Sequence, residues 1–517
     1  MSKYKNKIIS SKNCYDNVLL TLGLSKFYIY YNNYYYFGNK EIDDQKLANT
    51  KIDNIIFNYN DFVNYLLNKY DRKVLILEIG IIYDKLQSIH LTNDLFLANN
   101  DKLSNKKIID ISYPAKAADL MARKSKLLLE RVILNDNKKK SLFFSNQDYK
   151  KLILLLYYYS LFIFYRTKSN LSKEYENGIT SYYINPSSLE PINTYNDNQN
   201  NSENDNKLQF NYDSKISNTK NLKFDKAFYD EKGISFTDYK QLMNVLIEYS
   251  NKRKKTNLLF KKDNFIKYIA DNFCIDEEKF KSRCIFFKSN ITISSNELYK
   301  NNSTIRLDTA PIIDIGAEYY IFNKGIVWNS KNFWDNVHSI GMIPYSSDDS
   351  ITKEAKKIIE KVSRIFENAV HDELKKFNKD FDIKRNKKTK DIFKSKKLDD
   401  NEWDMIAIDH KAKIILDIEI KFVSTSLSEF QLANDLKKIG YKSKNYFQKF
   451  QKRISIERKY MKEFLSFCNA SQKYKIIRLM VISKVTDFDM NSKKRDFTII
   501  HFGRLEKYLK ELYKDNN

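Results

Sequence analysis

The sequence predicts a multidomain chain of α+β or α/β class, with a mainly helical N-terminal region that carries small β elements and a compact α/β unit at the C-terminal end. Three observations lead to this prediction. The 517 residues include only 10 Gly and 5 Pro, an ordinary globular composition and enough chain for about two to four domains. A polar tract interrupts the chain near residue 184, and helical and β-type patterns alternate through the last third.

The domain boundaries follow from composition. Ile184–Asn206 combines two prolines with an Asn, Asp and Ser tract, which cannot bury enough apolar surface to become ordered. We therefore predict a mixed, mainly helical domain over 1–184, a polar linker or loop over 185–220, a helical module with a small β element over 221–345, and a last domain over 346–517.

The first domain contains four recognisable segments. Phe27–Phe37 has the pattern of a hairpin, Lys73–Tyr83 fits either a strand or a buried helix, and Ala115–Leu134 has helical spacing. The longest apolar run is Leu152–Tyr165, which falls short of the roughly 20 residues that span a bilayer. We expect it to be a buried helix.

The middle module begins with helices. Ser235 is positioned to cap a helix over the apolar residues that follow it, and Phe265–Phe273 has the same periodicity. Short aromatic and β-branched runs at 312–315, 319–322 and 326–328 then predict a small β meander.

The last domain has the order α, β, β, α, β, β, α. Its first helix is a strongly amphipathic stretch, Thr352–Phe377, preceded by Ser350, and a loop-like basic passage, Lys384–Lys397, follows it. Two strands joined as a hairpin come next, Trp403–Ile408 and Ile414–Val423, and a long basic helical region, Ser428–Phe467, follows them. Two more strands, Lys475–Val485 and Phe497–Phe502, and a closing helix, Gly503–Tyr513, complete the domain.

Charge and motifs narrow the function classes. Lys and Arg number 90 against 65 Asp and Glu, which gives a formal net charge of +25. Such a charge suits a polyanionic partner such as nucleic acid. The general enrichment of the chain in Lys, Asn, Ile and Tyr would raise the net charge whatever the function. The four cysteines form no CxxC pair, so we predict no zinc site or disulfide framework and a reducing, cytoplasmic location. The start of the chain does not have the pattern of a signal peptide, and we expect no membrane role.

Other catalytic classes are disfavoured by what the sequence lacks. The glycines form neither GxxxxGK[ST] nor GxGxxG, so nucleotide-driven work would need a separate NTPase partner. The five histidines are dispersed, which argues against HExxH proteolysis and HNH-type nuclease chemistry.

The strands of the predicted hairpin carry the residues that point to chemistry. Asp404 opens the first strand, and the two-residue period places Asp417, Glu419 and Lys421 on one face of the second. Two carboxylates that converge there would bind Mg²⁺ or Mn²⁺. Lys421 would then orient an attacking water or stabilise negative charge on phosphorus.

A structural ion pair is the alternative, because acid-x-Lys recurs many times along this chain. What separates Glu419-Ile420-Lys421 from the other copies is its position inside an apolar strand, where charge is costly without a partner or a metal. Glu367 borders the apolar stripe of the amphipathic helix and is a further candidate, either for the metal or as a rim residue paired with a neighbouring cation.

These residues together resemble the PD-(D/E)xK nuclease superfamily. A helix with Phe366-Glu367-x-x-Val370, a strand with Asp404 and a strand with Glu419-x-Lys421 are similar to its restriction-endonuclease-like fold, αβββαβ, over roughly residues 350–505. The resemblance implies that Asp404, Glu419 and often Glu367 hold Mg²⁺ (or Mn²⁺) and that Lys421 assists the water. It also implies hydrolysis of phosphodiester bonds. Trp403 stands where the motif has proline, and the following helix lacks the Gln-x-x-x-Tyr of the exonuclease-like branch.

A basic helix after the second strand is a candidate nucleic-acid surface, because phosphate contacts give salt-dependent affinity; the alternative is a solvated helix in a lysine-rich chain. The residues are Lys442, Lys444, Lys449, Lys452 and Arg453, with aromatic residues interleaved. We thus predict a Mg-dependent endonuclease acting on DNA, of restriction or phage-defence type, with the N-terminal region for recognition or partner binding. A homodimer or a separate NTPase partner is compatible with this prediction, which leaves the oligomeric state open. An RNA nuclease and an inactive nucleic-acid-binding or scaffold protein are the alternatives.

Overall fold

The structure is a computed structural model. It describes residues 63–65, 67–98, 122–134, 222–287, 306–341, 349–394, 401–423, 445–483 and 496–514, and the single residues 145, 147, 148, 152, 398 and 439. The expected hairpin at Phe27–Phe37, the polar segment 185–220 and nearly all of Leu152–Tyr165 lie outside these residues. The described part is mixed α/β and mostly helical, with two small mixed sheets.

The helices before the first sheet agree well with their sequence patterns. The ambiguous run Lys73–Tyr83 is helical, and residues 122–134 of the expected helix Ala115–Leu134 are helical too. Ser235 caps its helix as predicted, since its side chain accepts a hydrogen bond from Asp238 N at 3.0 Å. The elements are α1 (Arg72–Ala98), α2 (Leu222–Lys232), α3 (Phe236–Arg253), α4 (Lys262–Asn272) and α5 (Glu277–Cys284).

A four-stranded sheet covers these helices, in the order β1-β4-β3-β2. Its strands are β1 (Asn257–Lys261), β2 (Ile285–Phe286), β3 (Ile312–Asp314) and β4 (Tyr319–Asn323). The two central strands are those that the sequence predicted. The two outer strands were not predicted, because β1 continues directly into α4 and β2 is only two residues long.

The third predicted strand of this region, Ile326–Trp328, is wrong. It lies in α6 (Lys324–Ile340), which Asn323 caps by accepting a hydrogen bond from Ile326 N at 3.1 Å. The cap satisfies a backbone donor at the helix start. Ile326 and Val327 are buried, and Val327 belongs to the core of the helical module.

The C-terminal unit is a five-stranded sheet in the order β5-β6-β7-β8-β9. The first three strands are antiparallel and the last three are parallel. Its elements are α7 (Ser350–Phe377), β5 (Asp382–Lys388), α8 (Thr389–Ile392), β6 (Glu402–Asp409), β7 (Ile414–Lys421), α9 (Tyr446–Lys459), α10 (Met461–Phe467), β8 (Lys475–Ile482), β9 (Thr498–His501) and α11 (Leu505–Lys514). Three strands therefore precede α9, where the hydrophobic pattern gave two.

The extra strand, β5, corrects the expectation that Lys384–Lys397 is loop-like. Its first residues pair with β6 from Asp382 opposite Ile408 onward, and Ile383 packs against the apolar core. An edge strand rich in Lys and Arg is a common protection against pairing with other chains, and such a strand shows little hydrophobic alternation.

Helices cover both faces of this sheet. The second half of α7 packs with α11 on one face, where Phe366, Met405 and Ile418 belong to the same apolar core. On the other face α9 and α10 form two smaller apolar clusters with the strands. The first half of α7 belongs instead to the core of the helical module, so this 28-residue helix serves both units.

Replacing Gly341 with alanine is expected to destabilise the protein strongly. Gly341 ends α6 with φ +67°, and an added Cβ would lie 2.5 Å from Ala355 O and still closer to Ile359 N, both in the backbone of α7. Strain and overlap together should cost about 3 kcal/mol or more, measured by urea unfolding. Gly316→Ala is the matched control, because Gly316 has φ +80° with nothing within 4 Å, and should cost only the backbone strain of about 1–2 kcal/mol. Equal losses would contradict the close contact of α6 with α7.

His338 is expected to make stability fall in mild acid. Burial, helped by the charge of Lys240, lowers the pKa of His338 below its ordinary value of 6.5. The unfolded chain therefore takes up the proton first, so stability declines as pH falls from about 6.5 toward the lowered pKa. His338→Gln should flatten this part of the pH profile by less than about 1 kcal/mol, since the ring is only half-buried. The control is His371→Gln, on a side chain that lies beside Asp372, and an unchanged profile in His338→Gln would disprove the assignment.

No described helix combines the length and the apolar character needed to cross a membrane.

Candidate active site

Asp404 and β7 meet where the hairpin ladder ends. The antiparallel register of β6 and β7 runs as far as Met405 opposite Ile418. Beyond that pair the side chain of Asp404 accepts a hydrogen bond from the backbone, since its Oδ2 lies 2.7 Å from Ile420 N. The sequence expectation that Asp404 lies beside the Glu419 segment is met by this contact.

Lys421 joins the two carboxylates. Its Nζ lies 3.0 Å from Asp404 Oδ2, 2.7 Å from Glu419 Oε1 and 3.0 Å from the carbonyl oxygen of Ile420. Only 22% of the Lys421 side chain is exposed, against 15% for Asp404 and 10% for Glu419. The cluster is therefore largely shielded from solvent, and a small part of each side chain remains accessible to it.

The charges of this cluster set the protonation of Lys421. Burial acts to lower the pKa of Lys421, but the carboxylates of Glu419 and Asp404 outweigh it and raise that pKa above its ordinary value. Lys421 is thus an ammonium ion near neutral pH. It can stabilise negative charge or donate a hydrogen bond, and it is a poor general base in this arrangement.

A buried arginine lies beneath the cluster. Arg453 on α9 donates from Nη1 to Glu419 Oε2 at 2.5 Å and from Nη2 to Asp417 Oδ1 at 2.8 Å. Asp417 and Glu419 therefore share the strand face that the two-residue period predicts. Burial raises the pKa of Asp417, and the charge of Arg453 opposes that shift.

This contact corrects the expectation that Arg453 binds nucleic acid at the surface. The residue is only 2% exposed, and its guanidinium lies near the rings of Trp403 and Phe450. The physical reason is the helical period of α9. Phe450, Arg453, Ile454 and Glu457 follow one another at intervals that keep them on the buried side of the helix.

Glu367 does not join the two strand carboxylates. It lies on α7, which packs on the sheet face where Ile418 and Ile420 are buried, whereas Glu419 meets α9 on the opposite face. Burial, followed by the negative charge of Asp404, raises the pKa of Glu367. The helix glutamate is therefore near Asp404, but the three carboxylates form no common cluster.

The oxygens that converge in the structure are accordingly a different set from the expected metal ligands. Among the residues that the structure describes, no three or more His, Cys, Asp or Glu side chains lie close enough to hold a metal ion. Asp404 Oδ2, Glu419 Oε1 and the carbonyl of Ile420 nevertheless converge on a single cationic atom, Lys421 Nζ. Two carboxylates and a carbonyl are hard oxygen donors of the kind that Mg²⁺ and Mn²⁺ prefer.

The structure describes three of the five residues of the predicted basic surface. Lys442 and Lys444 lie outside the described residues, while Lys449 and Lys452 are exposed on α9 and Arg453 is buried. The interleaved residues Phe447 and Phe450 are buried in an apolar cluster with β8 and β9, so they are not free to stack on bases.

Tyr446 is a further residue of the site. Its ring, at the first position of α9, has its centroid 5.6 Å from Lys421 Nζ, a distance at which the ring face attracts a cation. Sequence spacing could not place Tyr446 beside Lys421. The connection between β7 and α9 is long, and its sequence does not show at which residue α9 begins. Arg453 did have a signal, since it interrupts the apolar stripe of α9 just as Glu419 interrupts β7.

The chain matches no protein-family model, no curated protein and no solved structure.

Proposed function

We propose that residues 346–517 form a metal-dependent nuclease of the PD-(D/E)xK type, which hydrolyses phosphodiester bonds in DNA. The observation that carries the proposal is the contact of Lys421 Nζ with Asp404 and Glu419 at 3.0 and 2.7 Å, at a partly exposed sheet end. An acid, a second acid and a lysine from two adjacent strands are the groups that this chemistry uses.

Each residue has a defined part in the proposed reaction. Asp404, Glu419 and the Ile420 carbonyl would hold Mg²⁺ or Mn²⁺, and the bound ion would polarise the phosphate and lower the pKa of a water molecule. Lys421 Nζ, which contacts these three oxygens in the structure, would give them up to the ion. As an ammonium, it would then hydrogen-bond a phosphate oxygen and stabilise the charge that develops on it. Glu367, on the neighbouring helix, would accept a hydrogen bond from a water molecule at the rim of the site.

A purely structural ion pair explains less of this arrangement. The Glu419 carboxylate contacts Arg453 as well as Lys421, and Lys421 also contacts Asp404, so the cluster is a network and not a single ion pair. Three polar side chains that remain partly accessible at the end of an apolar strand are typical of a site that receives a ligand.

The region before residue 346 would supply target recognition or bind a partner, as in restriction and phage-defence enzymes. This part of the proposal is an analogy at the level of architecture, because a fold does not determine a biological role. A homodimer or a separate NTPase chain would fit such a system.

Cleavage assays with purified protein test the proposal and its alternatives together. Supercoiled DNA, linear DNA and single-stranded RNA are each incubated with Mg²⁺, with Mn²⁺ and with EDTA. We expect nicking of supercoiled DNA with either metal and none with EDTA. Cleavage of RNA alone would favour the ribonuclease, and binding of DNA without cleavage of any substrate would favour the inactive binding protein.

A further inference from the structure

Arg453 makes contacts that are more specific than burial of a charge requires. Its Nη1 donates both to Glu419 Oε2 at 2.5 Å and to the carbonyl of Glu402 at 3.0 Å, and its Nη2 donates to Asp417 Oδ1 at 2.8 Å. The planar guanidinium therefore ties α9 to β7 and to the first residue of β6. Those two strands provide the carboxylates of the site.

The contact divides the two oxygens of Glu419 between different partners. Oε2 is bound to Arg453 on the buried side, and Oε1 is 2.7 Å from Lys421 on the accessible side. A glutamate side chain with three rotatable torsions would otherwise turn among several rotamers. The fixed fork of an arginine holds a carboxylate in one orientation better than a lysine does.

The surroundings of Arg453 restrict its own movement. The Phe450 ring lies 4.4 Å and the Trp403 ring 5.3 Å from the centre of the guanidinium. Trp403 immediately precedes Asp404, so this ring connects the arginine to the second strand carboxylate as well. The guanidinium is thus held by rings and by three acceptors at once.

We propose that Arg453 is a positioning residue of the nuclease site: it orients Glu419 so that Oε1 faces the metal and the substrate. This inference rests on the proposed function and deepens it. Residues that orient a metal ligand through the oxygen the metal does not use commonly change metal affinity or activity 10- to 100-fold when they are replaced.

A second buried ion pair on the same helix provides a control for stability. Glu457, one turn after Arg453 on α9, binds Arg478 of β8 and is fully buried. This pair also joins α9 to the sheet, but it makes no contact with Asp404, Glu419 or Lys421. Arg453→Lys and Arg478→Lys therefore make the same substitution in two ion pairs of α9, in which the arginine side chains are 2% and 11% exposed, and only Arg453 contacts Glu419.

The experiment compares these two variants with the wild type at increasing Mn²⁺. Nicking rates give the Mn²⁺ concentration for half-maximal activity, and electron paramagnetic resonance gives Mn²⁺ binding without DNA. We expect Arg453→Lys to raise both the half-maximal Mn²⁺ concentration and the dissociation constant for Mn²⁺ by about 10- to 100-fold. Much of the nicking rate should be recovered at high Mn²⁺. Arg478→Lys should leave both within about twofold.

The outcomes separate this proposal from the nuclease proposal. Equal Mn²⁺ dependence in the two variants, with wild-type cleavage intact, would overturn the role of Arg453 alone. Weakened Mn²⁺ binding in Arg453→Lys without any wild-type cleavage would support the role while overturning the nuclease. A wild type that binds no Mn²⁺ would overturn both. If Arg453→Lys does not fold, the double variant Asp417→Asn/Arg453→Gln removes the buried pair together and is measured in its place.

Discussion

Replacing Lys421 with methionine is expected to reduce DNA cleavage by about 10²- to 10³-fold, the usual loss when a group that stabilises developing charge is removed. Methionine keeps the length of the chain but cannot contact Asp404 or Glu419 as a cation. The loss should appear in the maximal rate more than in the affinity for DNA, because one charge among many contributes little to binding. Initial nicking rates at saturating DNA measure it.

The control for this variant is Lys507→Met. Lys507 is exposed on α11, on the sheet face opposite α9, so the variant makes the same chemical change away from the cluster. It should cleave within about twofold of the wild type and unfold at the same temperature. Activity in Lys421→Met equal to that of Lys507→Met would remove Lys421 from the mechanism.

Replacing Arg453 with alanine is expected to destabilise the C-terminal unit by about 3–5 kcal/mol, the cost of leaving a buried charge without its partner. Asp417 has no solvent exposure, and its carboxylate would lose the Arg453 contact. Alanine also leaves a cavity between the rings of Trp403 and Phe450. Urea unfolding followed by tryptophan fluorescence, in a background with Trp328 and Trp334 of α6 replaced by phenylalanine so that Trp403 is the reporter, measures the change.

Lys452→Ala is the neighbouring control, because Lys452 is exposed on the same helix. A surface substitution of this kind usually changes stability by no more than about 0.5 kcal/mol. A loss below about 1 kcal/mol in Arg453→Ala would mean that the guanidinium is not held as the structure has it.

Hydrophobic periodicity predicted the elements whose apolar faces are regular. The stripe of α7 and the runs of β6 and β7 are examples, and the two-residue period of a strand is sufficient to place Asp417, Glu419 and Lys421 on one face. These elements bury one face or both faces against the core, so their hydrophobic residues recur at regular intervals along the sequence. The hairpin between β6 and β7 then brought Asp404 to the same place.

The predictions from hydrophobic periodicity were wrong or incomplete where another interaction determined the structure. β5 was not predicted, because Lys and Arg side chains dominate an edge strand whose stability comes from backbone pairing with β6. Ile326–Trp328 has β-branched and aromatic residues, yet the Asn323 cap begins a helix there. Glu367 was grouped with Asp404 and Glu419, but a helix stripe does not reveal which face of the sheet it will cover.

Arg453 shows why a basic helix is ambiguous in a lysine-rich chain. Lys449 and Lys452 are exposed, and their neighbour Arg453 is buried against two carboxylates. A count of basic residues does not distinguish these three side chains, whereas their positions around the helix do. A polar residue that occupies an apolar phase should therefore be examined first as a partner for a buried charge of opposite sign.

Nicking of supercoiled plasmid by the wild type and by Glu419→Gln, compared with Mg²⁺ and then with EDTA, decides whether Glu419 belongs to an active site. Glu419→Gln keeps the size of the side chain and retains an oxygen for Arg453, so the protein should fold. The account predicts Mg²⁺-dependent nicking by the wild type, none in EDTA, and a loss of about 10³-fold or more in the variant. Nicking by Glu419→Gln at the wild-type rate would contradict it, because the cluster of Asp404, Glu419 and Lys421 would then not be the active site.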